Sequence, residues 1–126
     1  MSEMIFSMAR IKGFSFSSNA YSFVYSPQGD GRREQHNQPH VHVYYKKTKL
    51  ASISLLYPFD LISPKDINLI RAEHRSFIRE AVGMIKDDTE YFQFLWDYYS
   101  RQRYFRDLNG WTQDDLDAFT DRFAND

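Results

Sequence analysis

The chain has 126 residues, 42% of them hydrophobic, and a formal net charge of −1, which bounds it to about one domain with enough apolar material for a single core. It contains no cysteine, so disulfide frameworks, thiolate zinc sites and cysteine nucleophiles are excluded. No apolar run approaches the roughly 20 residues that span a bilayer, and the opening Met1-Ser2-Glu3-Met4-Ile5-Phe6 lacks the basic region and apolar stretch of a secretory leader. The expected setting is therefore soluble and cytoplasmic, without a membrane partner.

Alternation around Phe14 and Phe16 predicts a strand within residues 10–17, and alternation around Tyr21, Phe23 and Tyr25 a second over 20–25, with Ser18-Asn19 as the turn. Pro27-Gln28-Gly29-Asp30-Gly31 and the polar run Arg32-Arg33-Glu34-Gln35 read as a loop. A third strand covers His40 to Lys46, Lys47-Thr48 turns the chain, and a fourth covers Leu50 to Leu56. In that last strand Ala51, Ile53 and Leu55 share one face and Ser52 and Ser54 the other, which predicts a sheet with one wet side.

The period then becomes helical. Ser63 suits an N-cap, Pro64 the first helical position, and Asp66 sits three after the cap. Ile67, Ile70, His74, Phe77, Ile78, Ala81, Val82 and Ile85 follow at three- and four-residue spacing, a stripe for packing on a sheet. A second helix is predicted from Thr89 to Arg101, capped by Asp88, with aromatic residues on nearly every side; one face should meet the core and another a partner, a second copy or a further helix. Asn109-Gly110 breaks the chain, and Thr112 caps a last short helix whose stripe is Leu116, Phe119 and Phe123. The expected class is α+β: a small antiparallel sheet of about four strands with one long helix packed on it and a helical C-terminal extension. Residues 1–86 form the core domain and 87–126 an extension packed on it.

Three of the four histidines, His36, His40 and His42, fall within seven residues. His40 and His42 are one strand step apart and share a face, about 7 Å apart, with His36 arriving over a proline-bounded turn. His74 lies in the apolar stripe of the first helix, unusual for a side chain that is costly to desolvate. If that helix covers the His40/His42 face, the four rings form a set for zinc, nickel or iron, or for proton transfer. The competing reading starts from Val41 and Val43, the apolar members of the same strand. If they take the core face, His40, His42 and Tyr44 turn away from His74, which becomes a core histidine satisfied by a carbonyl or a tyrosine hydroxyl.

The segment His36-Asn37-Gln38-Pro39-His40-Val41-His42-Val43, with the Tyr-rich strand, Ala51 and a helix bearing His74, resembles the bacterial family called domain of unknown function 4160, over about residues 20–82. The family has an H-x-x-P-H-x-H-V signature, a small sheet and a helix containing a histidine. This chain departs from it at Gln38, where the family tends to have a second proline, in the Lys46-Lys47-Thr48-Lys49 turn, and from Asp87 onward. The resemblance implies shared roles for His36, Pro39, His40, His42 and His74, and a place in a toxin–antitoxin-like or mobile-element cassette of bacterial or phage origin.

Other surfaces carry charge. Residues 1–63 hold seven Lys/Arg against four Asp/Glu, whereas 107–126 hold one Arg against six Asp, so a basic front and an acidic tail divide the chain. Tyr44-Tyr45-Lys46-Lys47-Thr48-Lys49 mixes aromatics with cations, which suits base stacking and phosphate contact or, more plainly, lysine protection of a sheet edge. Arg71, Arg75 and Arg79 recur at i+4 as a solvated stripe. There is no phosphate loop, Rossmann glycine pattern or nucleophile elbow. The expected function is a small binding or regulatory protein whose contact residues are His36, His40, His42, Tyr44, Tyr45, Lys46, Lys47 and Lys49. Its expected partner is a protein or a nucleic acid, with self-association through the aromatic helix 89–101. The alternative is a histidine-dependent enzyme, either cleaving RNA with His40 and His42 as acid and base or hydrolysing through a divalent metal such as zinc on His36, His40, His42 and His74. The binding reading needs no cofactor.

Overall fold

The computed structural model describes residues 9–11, 13–26 and 38–126; His36 and the loop predicted over 27–35 lie outside these. Five strands form one antiparallel sheet in chain order: β1 (Ala9–Arg10), β2 (Tyr21–Tyr25), β3 (His40–Tyr45), β4 (Thr48–Ser54) and β5 (Leu61–Ser63). A single 3-10 turn, Ile67–Leu69, leads into α1 (Ala72–Asp87), α2 (Thr89–Ser100), α3 (Tyr104–Asn109) and α4 (Gln113–Asn125). The observed class is the expected one, α+β.

Register decides which residues share a face. Tyr21 lies opposite Tyr45, Phe23 opposite Val43 and Val24 opposite His42; Val41 lies opposite Ile53, His42 opposite Ser52 and His40 opposite Ser54. Because successive side chains alternate, Tyr21, Phe23, Tyr25, Val41, Val43, Ala51 and Ile53 form one face, and Ser22, Val24, His40, His42, Ser52 and Ser54 the other. The helices take the first face. The Tyr21 ring stacks on Phe77 of α1 at 3.9 Å and Phe23 meets Phe92 of α2 at 5.0 Å, while the Tyr25 hydroxyl donates to the Phe92 carbonyl at 2.5 Å. The core joins Ile53 and Ile78 with Phe92, Phe105 and Trp111, so the two predicted segments contribute to one interior. Each fully buried aliphatic or aromatic side chain there stabilises by roughly 1.5–3 kcal/mol.

Several expectations are corrected. The first predicted strand is displaced: Arg10 closes the two-residue β1 and residues 13–16 are irregular, because Phe14 and Phe16 are drawn against the core, Phe14 stacking on Phe92 at 4.3 Å and Phe16 meeting Phe23 at 4.8 Å. The side predicted to be wet is dry, with Ser52 and Ser54 at 0% and 5% exposure. Small hydroxyl side chains are buried at little cost when a neighbouring polar group completes their hydrogen bonds. The first helix starts not at Pro64 but at Ala72. Ser63 is held in the sheet opposite Ser52, and the Asp66 carboxylate accepts from the Asn68 N–H, capping the 3-10 turn.

The rest of the chain completes the helical layer. Asp88 stands at the N-cap of α2 without a capping hydrogen bond; its carboxylate accepts instead from Arg122 of α4 at 3.0 and 2.5 Å. Asp97, buried at 8% exposure, accepts from the backbone N–H groups of Phe105 and Arg106 and so starts α3. Burial raises its pKa, against the lowering effect of those same bonds. Thr112 and Asp115 form the reciprocal capping box of α4. That helix lays Phe119 on Phe94 at 5.1 Å and Phe123 on Tyr98 at 4.7 Å, so the further helix anticipated beside the aromatic α2 belongs to this chain.

Candidate functional site

β3 carries His40 and His42 into a closed polar layer. His40 is 1% exposed and His42 4%. His40 Nδ1 lies 2.9 Å from the Gln38 carbonyl, which only accepts, so Nδ1 carries the proton. His42 Nδ1 shares a 3.0 Å hydrogen bond with the Ser52 hydroxyl. The two rings meet edge to face at 4.9 Å, and Trp96 packs on His40 at 5.3 Å. The Ser54 hydroxyl donates to the Gln38 side-chain oxygen at 2.9 Å and accepts from the Leu56 N–H at 3.0 Å. Beside Gln38 and Ser54 an open cleft of about 540 Å³ is also lined by Tyr57, Asp60 and Lys65.

His74 stands on the other face. Its Nδ1 is 2.6 Å from the Tyr21 hydroxyl, and the Tyr45 ring lies at 4.8 Å. The sheet therefore separates His74 from His40 and His42, and His36 is outside the described residues. Among the described residues no three His, Cys, Asp or Glu side chains converge as a metal site would need. The valines, as the competing reading required, lie beneath the helical layer, each at 0% exposure.

Beyond the histidines, the β3–β4 turn presents its cations outward. Lys46 adopts a left-handed conformation with φ 54°, and its Nζ sits over the Tyr45 ring at 5.3 Å. Lys46, Lys47 and Lys49 are exposed, while Tyr44 leans toward His42 at 6.4 Å on the polar face. The edge-protection reading fits poorly, because β3 and β4 are interior strands, each with neighbours on both sides.

Beneath this turn lies a cleft of about 440 Å³ whose lining includes Tyr45, Lys49, Leu69, Arg71, Glu73 and His74. The sequence places Arg71 in a solvated stripe with Glu73 nearby and gives no sign of Leu69 as a site residue. The available signal was His74 itself, a polar member of an apolar stripe flanked by Glu73 and close in sequence to Arg71. Burial raises the Tyr21 hydroxyl above its ordinary pKa, with Tyr45 and Glu73 adding to the rise, so it keeps its proton and is available to donate to His74 Nδ1. His74 Nε2 lies 3.9 Å from the Glu73 carboxylate, beyond hydrogen-bond distance. The Tyr21 hydroxyl can donate to Nδ1 or accept from it, so the contact fits either tautomer.

No protein-family model, curated protein or solved structure matches the chain.

Proposed function

We propose that this chain is a small binding protein that contacts single-stranded nucleic acid through the β3–β4 turn. One observation carries the reading: Lys46, Lys47 and Lys49 stand exposed together beside Tyr45, and among the described residues no carboxylate forms an ion pair with any of them. Unneutralised cations next to an aromatic ring supply the two elements of single-strand recognition, phosphate neutralisation and base stacking. In this reading His40 and His42 hold the strand that displays the turn, since groups 1% and 4% exposed offer little to a polymer.

The test is fluorescence anisotropy of a labelled single-stranded oligonucleotide over a salt series. Wild-type affinity should fall as salt rises, and the triple variant Lys46→Gln, Lys47→Gln, Lys49→Gln should reduce the slope of log affinity against log salt by about 2, on the basis of about 0.7 per phosphate contact for single strands. Binding that ignores salt, or a triple variant indistinguishable from wild type, defeats the proposal. Retention of an acidic protein in place of the oligonucleotide would move the partner to the protein class.

A further inference from the structure

We infer that the cleft beneath the β3–β4 turn seats a phosphate monoester, the phosphorylated end of a nucleotide; this rests on the nucleic-acid reading above and extends it from the strand to its terminus. The donors come from three separate elements. Lys49 reaches the cleft from β4, Arg71 from the residue before α1, and His74 from the first turn of α1. His74 is 7% exposed yet lines the cleft, and with Nδ1 held against the Tyr21 hydroxyl at 2.6 Å its Nε2 is the ring nitrogen that can turn to a ligand, as a donor when it carries the proton. Beside two cations, a ring nitrogen able to donate is suited to an oxyanion rather than to a metal or an amine.

Charge and shape agree with that assignment. Glu73 is the one carboxylate in the lining, and it is already engaged by Arg71 at 3.4 Å in a pair whose side chains are 78% and 60% exposed. So exposed a pair contributes little stability, and a dianionic phosphate competes for the guanidinium, whose planar fork fits two phosphate oxygens. Leu69, 75% exposed, and Leu50 give the cleft an apolar wall, a surface for a sugar or base. At about 440 Å³ the volume falls within the roughly 300–1,000 Å³ of small-ligand sites. Binding involves no covalent step.

The experiment titrates the full-length protein with adenosine 5′-monophosphate and, separately, with adenosine, following the His74 imidazole signals by NMR and the affinity by calorimetry. The nucleotide should bind saturably and shift the His74 Nε2 signal, and adenosine should bind at least about tenfold more weakly, as expected when charge-assisted hydrogen bonds are lost. Arg71→Gln, at an exposed position, should fold normally and weaken the nucleotide about tenfold, whereas Lys86→Gln, exposed in the last turn of α1, should leave it unchanged. Equal binding of nucleotide and nucleoside, no saturable binding of either, or an unaffected Arg71→Gln would overturn the inference. If salt-sensitive oligonucleotide binding persists alongside such a result, only the cleft assignment falls; if both vanish, the nucleic-acid reading falls with it.

Discussion

The face of β3 that carries Val41 and Val43 and the face that carries His40 and His42 are both shut from water, yet they are closed by different interactions. On the valine face, side chains from α1 and α2 fill the space and dispersion with apolar transfer does the work. On the histidine face, polar groups satisfy one another across the strands and from the segment before β3: His42 with Ser52, His40 with the Gln38 carbonyl, Ser54 with the Gln38 side chain. An apolar face tolerates approximate fit, whereas a polar face is worth its burial only while every partner is present. The histidine that borders solvent lies at neither face's centre: His74, 7% exposed, lines the cleft beneath the β3–β4 turn.

The largest contrast should come from removing volume on the apolar face. Ile53→Ala should cost about 2–5 kcal/mol, read from the urea midpoint. Ser52→Ala tests the polar face: it deprives His42 Nδ1 of its partner and should cost about 1–3 kcal/mol despite deleting a single oxygen. A neutral Ser52→Ala would mean that the layer is not held by mutual satisfaction. Tyr21→Phe should be milder, about 0.5–1.5 kcal/mol for one hydrogen bond, while removing the hydroxyl from His74 Nδ1, visible in the imidazole nitrogen shifts. At the small end, Lys46→Gln with Lys47→Gln should change stability by less than about 0.5 kcal/mol while weakening oligonucleotide binding. A large loss of stability there would make the turn a structural element rather than a contact surface.

Much of the architecture was legible because its determinants are local. The alternation of Tyr21, Phe23 and Tyr25, the run from His40 to Tyr45, and the Thr112 cap all sit inside the elements they specify. What escaped depends on partners distant in sequence. α3 is started by the carboxylate of Asp97, eight residues before Phe105, and the position of Ser63 is decided by its sheet neighbour Ser52. The candidate site divides likewise. The prominence of the histidines and the basic turn could be seen in the sequence, but the partition of His74 from His40 and His42 follows from which parity of β3 meets the helices. Nothing in the spacing of Val41, His42 and Val43 alone gives that answer.

Arg122 gives the last helix an unusual dependence. Its guanidinium holds the Asp88 carboxylate and lies over the Tyr91 ring at 3.8 Å, whereas α4 contributes no fully buried side chain of its own. An element whose apolar side chains are only partly buried opens more often than the sheet does, and each opening bares Phe94 and the aromatic flank of α2. Solutions of this protein should therefore age by a concentration-dependent route, with chains meeting through that flank at temperatures where the sheet is intact. A firmer hold at Arg122 would lengthen the life of a stock without raising its melting point.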